Sequence, residues 1–320
     1  MDAEGHVVFD AAGAGMGGER VRVPVRGLGE VTVTVCGDAS RPALLTAPDV
    51  GLTHAECFQG LFLCAPGLLA ENFRVLHVDW PGHGSPAPPP SAAVSTAHLA
   101  EALCAVAGRF CLSEAVGMGA GLGAHALALA CAEHGLSSRI KGLVLVSPLA
   151  SPAGWWERGF AAAAQVALCS AGWSKWSLDH VAARLYAPER RTSRADGATA
   201  SDLVRSFRAA AREAVSPRWC AAVLGAAVRR KGVARGLRAA AQSEGLHVLV
   251  VSGERGPFHS EAMELGAELA PTGRAASVVV ENGSALLTGA EPASLASPVK
   301  LFIRRLQAEG LCAGAKLPPG

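Results

Sequence analysis

The sequence has few charged residues, and its cysteines form no closely spaced pair. Only 18% of the 320 residues are charged while 50% are hydrophobic, which excludes an intrinsically disordered chain. None of the nine cysteines belongs to a C-x-x-C pair, and most of them fall in apolar segments. The pattern indicates reduced, buried thiols in a cytosolic protein rather than a disulfide framework.

Signals for export, lipidation, nucleic-acid binding and metal binding are also missing. No basic start with a following apolar stretch opens the chain, and Asp2 follows Met1, so we expect neither a secretory signal nor N-myristoylation. A net charge of +2 gives no general electrostatic case for nucleic acid or membrane. Without an H-E-x-x-H, paired-cysteine or paired-carboxylate pattern, we expect no metal and no cofactor, in a cytoplasmic protein.

Strand and helix patterns alternate along most of the chain. Two β-branched runs at 21–25 and 31–35 predict an antiparallel hairpin at a sheet edge. Strands and helices then follow one another in turn, which favours an α/β fold with a doubly wound, mostly parallel sheet. The buried strands are predicted at 42–47, 73–79, 140–147, 246–252 and 276–280.

The alternation breaks between the strand at 140–147 and the strand at 246–252. The residues between them show helical patterns only and are rich in Trp, Ala and Arg, which predicts an inserted helical cap. The predicted organisation is a flexible N-terminal tail (1–19), a core in two segments (20–151 and 244–310), the cap (152–243) and a short C-terminal tail (311–320).

The stretch Val116-Gly-Met-Gly-Ala-Gly-Leu-Gly123 follows a predicted strand and opens an Ala/Leu-rich helix. An α/β-hydrolase carries its G-x-S-x-G nucleophile elbow at this place in the chain. We assign Gly119 to the nucleophile position, where no hydroxyl is then available. The same residues also match a G-x-G-x-x-A dinucleotide fingerprint, but Ser147 stands where that fingerprint needs an acid at the end of the next strand.

The two other positions of a hydrolase triad are vacant as well. Gly256 stands where the acid normally follows its strand, and Ser284 stands where the histidine normally follows the last strand. The last histidine of the chain is His259, which precedes that strand. Because a serine or cysteine without a general base stays protonated, these three vacancies predict a protein without hydrolase activity.

Several polar residues nevertheless fall near the C-terminal edge of the predicted sheet. A set formed by His54, Asp79 and His83 is the alternative that keeps hydrolase activity at a displaced site. A small-molecule sensor that keeps the pocket without the chemistry is a third possibility. Candidate pocket-lining residues are Asp49, His54, Asp79, His83, Met118 and Ser147.

Four tryptophans of the cap, Trp155, Trp156, Trp173 and Trp176, flank a charge-free run over residues 159–174. A helix this apolar must be buried in the fold, pair with a partner or lie against a membrane. The tryptophans are therefore candidates for a partner surface or for peripheral membrane contact.

A resemblance to a known family rests on several stretches of the first half. They are Val31-Thr-Val-Thr-Val-Cys-Gly-Asp38, Pro42-Ala-Leu-Leu-Thr46, Asp49-Val-Gly-Leu52 with His54, Cys57-Phe-Gln59, His77-Val-Asp79 with Pro81-Gly82, and Gly117-Met-Gly-Ala-Gly121. The chain resembles the NDRG (N-myc downstream-regulated) family. Its members have an α/β-hydrolase fold without hydrolase activity.

This resemblance implies a non-enzymatic adaptor in signalling, stress response or trafficking, with protein partners that in plant relatives include G-protein βγ subunits. Ala47-Pro48 and the proline-rich connector at 86–90 depart from the family pattern. The short C-terminal tail also lacks the phosphorylatable repeats of some animal members, so we expect no regulation of that kind.

Overall fold

The computed structural model of the protein describes residues 16–188, 191 and 198–312. Its centre is one eight-stranded sheet in the order β1-β2-β4-β3-β5-β6-β7-β8. The strands are β1 (Glu19–Val25), β2 (Gly29–Cys36), β3 (Ala43–Ala47), β4 (Arg74–Asp79), β5 (Ala115–Ala120), β6 (Ile140–Val146), β7 (His247–Gly253) and β8 (Ala275–Val280). The pairs β1–β2 and β2–β4 are antiparallel, and all the others are parallel.

The central strands are buried on both faces, because helices cover the two sides of the sheet. Every residue of β5 and β7 is buried, as expected of parallel strands built from continuous apolar runs. The predicted hairpin is confirmed, since Val23 of β1 pairs with Val31 of β2. The doubly wound, mostly parallel sheet predicted from the alternation is therefore confirmed.

Eleven α-helices have both of their bounds within the described residues. They are α1 (His54–Cys64), α2 (Thr96–Arg109), α3 (Leu122–Glu133), α4 (Trp155–Ala171), α5 (Lys175–Leu185), α6 (Ala198–Ala214), α7 (Pro217–Val228), α8 (Ala234–Ser243), α9 (His259–Leu269), α10 (Leu287–Ala290) and α11 (Pro292–Ala308). No helix in the described part of the chain combines the length and apolar character needed to cross a bilayer.

In the part of the chain that the structure describes, helices α4 to α8 follow one another between β6 and β7 without an intervening strand. Helix α4 packs against α7 and α5, while α8 packs against α3 and α9 beside the sheet. The division into core and cap stays a prediction; α8 falls within the predicted cap (152–243) by its residues, although it packs beside the sheet.

Both predicted tails fall largely outside the described residues. Residues 1–15 of the N-terminal tail and 313–320 of the C-terminal tail are not described, and Glu19 already belongs to β1. All nine cysteines are free, but the expected burial is wrong for three that face solvent: Cys64, Cys111 and Cys169.

Candidate functional site

The turn from β5 into α3 is the sharpest feature at the C-terminal edge of the sheet. Strand β5 ends at Ala120, Gly121 has φ 51° and ψ −113°, and α3 begins at Leu122. A residue with a side chain is strained in this region of backbone space. The elbow residue is therefore Gly121. Our assignment of Gly119 to the nucleophile position is wrong, because the turn lies two residues further along the chain.

Two neighbouring glycines let the strand and helix approach closely. A Cβ on Gly119 would lie 2.5 Å from the backbone nitrogen of Ala124, and one on Gly123 would overlap the carbonyl oxygen of Ala47. These close approaches are the reason that small residues flank a nucleophile elbow. The motif thus reads Gly119-x-Gly121-x-Gly123, and the middle position has no nucleophile in either frame.

The carboxylate of Asp49 occupies the space beside the elbow. A Cβ on Gly121 would overlap this carboxylate. Its Oδ1 accepts hydrogen bonds from the backbone N–H of Leu122, with N and O 2.9 Å apart, and from that of Val50, at 2.7 Å. One N–H follows the elbow and the other lies in the β3–α1 loop, which is the pair that forms the oxyanion hole of an α/β-hydrolase. In this chain the carboxyl group of Asp49 occupies the oxyanion hole.

The groups around Asp49 affect the pKa of its carboxyl group in opposite directions. The side chain is buried, and this burial raises the pKa of the carboxyl group. The Arg184 guanidinium and the amides of Leu122 and Val50 act in the opposite direction. The positive end of the α3 dipole also favours an anion at this position. Together these contacts hold the carboxylate in place of an oxyanion.

His54 and Asp79, two of the candidate pocket residues, form a buried pair. The backbone nitrogen of His54 lies 2.6 Å from Asp79 Oδ1. The side-chain Nδ1 of His54 lies 2.6 Å from Asp79 Oδ2. The His54 ring stacks on His77, with 4.9 Å between ring centroids, and burial holds the pKa of His77 well below its usual range. His77 Nδ1 in turn lies 2.7 Å from Thr46 Oγ1. The structure thus brings together two members of the alternative catalytic set.

The third member of that set points elsewhere. The Nδ1 of His83 lies 3.1 Å from the carbonyl oxygen of Pro81, and burial lowers the pKa of this histidine. Among the described residues, no hydroxyl or thiol makes a hydrogen bond with Nε2 of His54. The pair therefore resembles the His–Asp half of a triad but has no nucleophile beside it.

The positions assigned to the triad acid and base lie side by side. Gly256 is in the turn after β7, where a Cβ would contact Cα of Ala285 at 3.3 Å. The neighbouring Ser284 accepts a hydrogen bond from the backbone N–H of Ala187 at 3.2 Å and donates one to Glu291 Oε1 at 3.3 Å. Neither of these two positions carries an acid or a base.

Met118 and Ser147, the remaining pocket candidates, are both buried. Met118 is fully buried in β5 and pairs in register with Thr46 and Val144, which makes it a core residue. Ser147 has φ 45°, and its N–H donates to Val251. Its Oγ has no hydrogen-bond partner among the described residues.

A buried ion network between the cap helices and α9 was not predicted from the sequence. The fully buried Arg230 reaches Glu157 and Glu261, each at 2.9 Å, and Arg184 also reaches Glu157, at 3.1 Å. Both guanidinium groups lie over the ring of Phe258, at 4.7 Å for Arg184 and 5.9 Å for Arg230. These residues are far apart in sequence, so no local motif indicates the network. It ties α4 and α5 to the core helix α9.

Three of the four cap tryptophans are exposed. Trp155 is 71% exposed, Trp156 is 63% exposed and Trp176 is 47% exposed. Trp173 instead packs partly buried against the core, and its indole N–H donates to the carbonyl oxygen of Val215 at 2.7 Å. Trp173 therefore offers less exposed surface than the other three tryptophans.

Comparisons with solved structures agree with this architecture. An esterase of Thermogutta terrifontis superposes with a TM-score of 0.72 at 16% identity, covering 90% of this chain and 99% of the esterase. A hydrolase of Pseudomonas aeruginosa gives a TM-score of 0.67 at 21% identity, covering 89% of this chain and 98% of the hydrolase. At these identities the likeness shows the α/β-hydrolase fold and no more.

Sequence comparisons give the family. The chain is 31% identical over 307 residues to Protein NDL1 of Arabidopsis thaliana, covering 94% of this chain and 86% of that protein. It is 30% identical over 288 residues to the pollen-specific protein SF21 of Helianthus annuus, covering 87% of this chain and 78% of that protein. Protein NDRG3 of Xenopus tropicalis is 37% identical over 133 residues, 40% of this chain and 34% of that protein. Since the model of the Ndr family matches residues 23–310, the chain belongs to the Ndr family, as its resemblance to NDRG proteins predicts.

Proposed function

We propose that the protein is a non-catalytic member of the α/β-hydrolase fold that acts through its surfaces as an adaptor in signalling, stress response or trafficking. One observation carries the non-catalytic part: the Asp49 carboxylate accepts hydrogen bonds from the two N–H groups that would otherwise stabilise an oxyanion. Gly121 offers no nucleophile beside it.

The electrostatics explain why substrate turnover is not expected. Ester hydrolysis through this fold develops negative charge at the oxyanion hole, and the donors there must be free to receive it. Asp49 Oδ1 already accepts hydrogen bonds from both of these N–H groups, so neither is free to stabilise the oxyanion. The adaptor role draws further support from membership of the Ndr family.

Hydrolysis of p-nitrophenyl esters from acetate to octanoate tests the proposal. The purified protein is expected to release p-nitrophenol no faster than its heat-inactivated control. Turnover well above that control, and lost in a His54→Ala variant that keeps its fold by circular dichroism, would establish the alternative catalytic set. The buried His54–Asp79 pair is the observation that favours this alternative.

A small-molecule sensor is the other candidate, favoured by buried polar atoms without a partner in the described residues. They are Oγ of Ser147 and the Nε and Nη2 atoms of Arg184. A sensor is stabilised by its ligand, so a thermal-shift screen of small carboxylates and phosphates is the relevant measurement. Saturable stabilisation that disappears in Arg184→Met would favour the sensor over the adaptor.

For the adaptor, protein partners in the cytoplasm remain a proposal. The family resemblance makes G-protein βγ subunits the first partner to test. Titration of purified βγ subunits into the full chain, followed by calorimetry, is expected to give a saturable heat. Its absence would remove this partner from the proposal without restoring catalysis.

A further inference from the structure

Helix α4 presents an unusually apolar face to solvent. Trp155, Trp156, Phe160 and Val166, here called the α4 face, are 71%, 63%, 58% and 67% exposed. The two indole rings stack with centroids 3.8 Å apart, and the Phe160 ring lies 6.3 Å beyond Trp156. Single exposed apolar residues are normal, but a continuous patch of this kind marks an interaction site.

Exposed basic residues lie on α4 and on the elements beside it. Arg158 is the one charged residue among the exposed residues of α4, and Lys175 is exposed at the start of α5. Arg218 and Arg229 line a groove of about 370 Å³ on the other flank of the helix, together with Gln165 and Cys169 of α4. Anything that covers the α4 face therefore meets a basic rim.

The acidic residues of the two helices that bear this rim are already paired. Glu157 of α4 binds the buried Arg184 and Arg230, and Asp179 of α5 binds Arg208. Helix α7 has no acidic residue. The positive charge of the rim is thus not neutralised from within α4, α5 or α7.

The whole sequence shows the same asymmetry on a larger scale. Residues 152–243 contain fifteen Lys and Arg against six Asp and Glu, a net charge of +9, although the complete chain carries only +2. The rest of the chain is therefore at −7. A local excess of positive charge of this kind favours association with a negative surface.

We propose that the α4 face docks on the surface of an anionic lipid bilayer, with the aromatic rings in the interfacial layer and the basic rim on the headgroups. Trp and Phe side chains favour that layer, and Lys and Arg favour anionic headgroups. In this arrangement α4, with 17 residues, lies along the bilayer surface. A second copy of the chain is disfavoured as the occupant, since a twofold contact would set two basic rims against each other. This docking does not depend on the absence of catalysis.

Flotation of the full chain with vesicles tests the proposal. We expect binding to vesicles of phosphatidylcholine mixed with phosphatidylserine, little binding to phosphatidylcholine alone, and weakening as salt is raised. Replacing Trp155, Trp156 and Phe160 by serine is expected to lower the partition coefficient at least about tenfold. Replacing Arg158 and Lys175 by glutamine, which removes one unit of charge at each position, is expected to lower the partition coefficient about fivefold per residue.

A matched control is Leu301→Ser, because Leu301 is 65% exposed on α11, on a different element. It is expected to bind the vesicles as the unmodified protein does, and circular dichroism checks that every variant is folded. Equal binding by the triple-serine variant, or no binding to phosphatidylserine vesicles, would overturn the proposal. Concentration-dependent dimers that the triple-serine variant abolishes, without vesicle binding, would assign the α4 face to self-association instead.

Discussion

Replacing Gly121 by alanine probes the elbow most sharply. The added Cβ would overlap the Asp49 carboxylate, and the backbone at φ 51° and ψ −113° is unfavourable for any residue with a side chain. A strained backbone costs about 1–3 kcal/mol, and overpacking a filled site costs about as much. Gly121→Ala is therefore expected to lower the free energy of unfolding by about 2–5 kcal/mol.

A double-mutant cycle separates these two costs. Asp49→Ala removes the acceptor of two buried N–H groups and is expected to cost about 2 kcal/mol alone. It also removes the group that the new methyl would overlap. The double variant should therefore be more stable than the sum of the single effects predicts, by about 1–3 kcal/mol.

Urea unfolding followed by circular dichroism gives these free energies. Gly108→Ala serves as the control, because Gly108 lies in helix α2 and the position that an added Cβ would take is open. That change should be neutral or should stabilise the protein by up to about 1 kcal/mol. A Gly121→Ala variant as stable as the unmodified protein, or a cycle without coupling, would refute the placement of Asp49 against the elbow.

Three further predictions concern buried charge. Asp49→Asn should be milder than Asp49→Ala in urea unfolding, since Oδ1 is kept as acceptor and burial already raises the pKa of the acid. Burial lowers the pKa of His125 from 6.5 to about 4. As the pH falls, the unfolded chain therefore binds a proton at this histidine before the folded chain does. The folded state loses about 3 kcal/mol of stability relative to the unfolded state between pH 6.5 and pH 4. His125→Gln should flatten that pH dependence. Arg230→Met leaves Glu261 without its buried partner and Glu157 with Arg184 alone, and should cost about 3 kcal/mol in the same unfolding assay.

The sheet could be predicted because its information is local. Continuous β-branched runs with helices between them indicate a doubly wound, mostly parallel sheet, because parallel connections have one handedness. The absence of a nucleophile was also readable, since Gly117, Gly119, Gly121 and Gly123 leave no serine in either frame. Which glycine carries the turn depends on where β5 ends, and a boundary error of two residues shifted the assignment.

The contents of the site could not be predicted in the same way. Asp49 was recognised as a pocket residue, but its bond to Leu122 spans 73 positions and depends on the packing of β3 beside β5. Arg230 meets Glu157 across a similar separation. A charged residue in an apolar helical segment is the one signal that the sequence offers for such a network, and it does not name the partner.

The central claim is that the elbow carries glycine where a hydrolase has its nucleophile, and that Asp49 occupies the oxyanion site beside it. Intact-mass measurement after prolonged incubation with a fluorophosphonate tests it most directly, because this reagent forms a covalent bond with an activated serine. The account predicts an unchanged mass for the full chain. A stoichiometric adduct at one residue near Gly121, absent after heat inactivation, would contradict it.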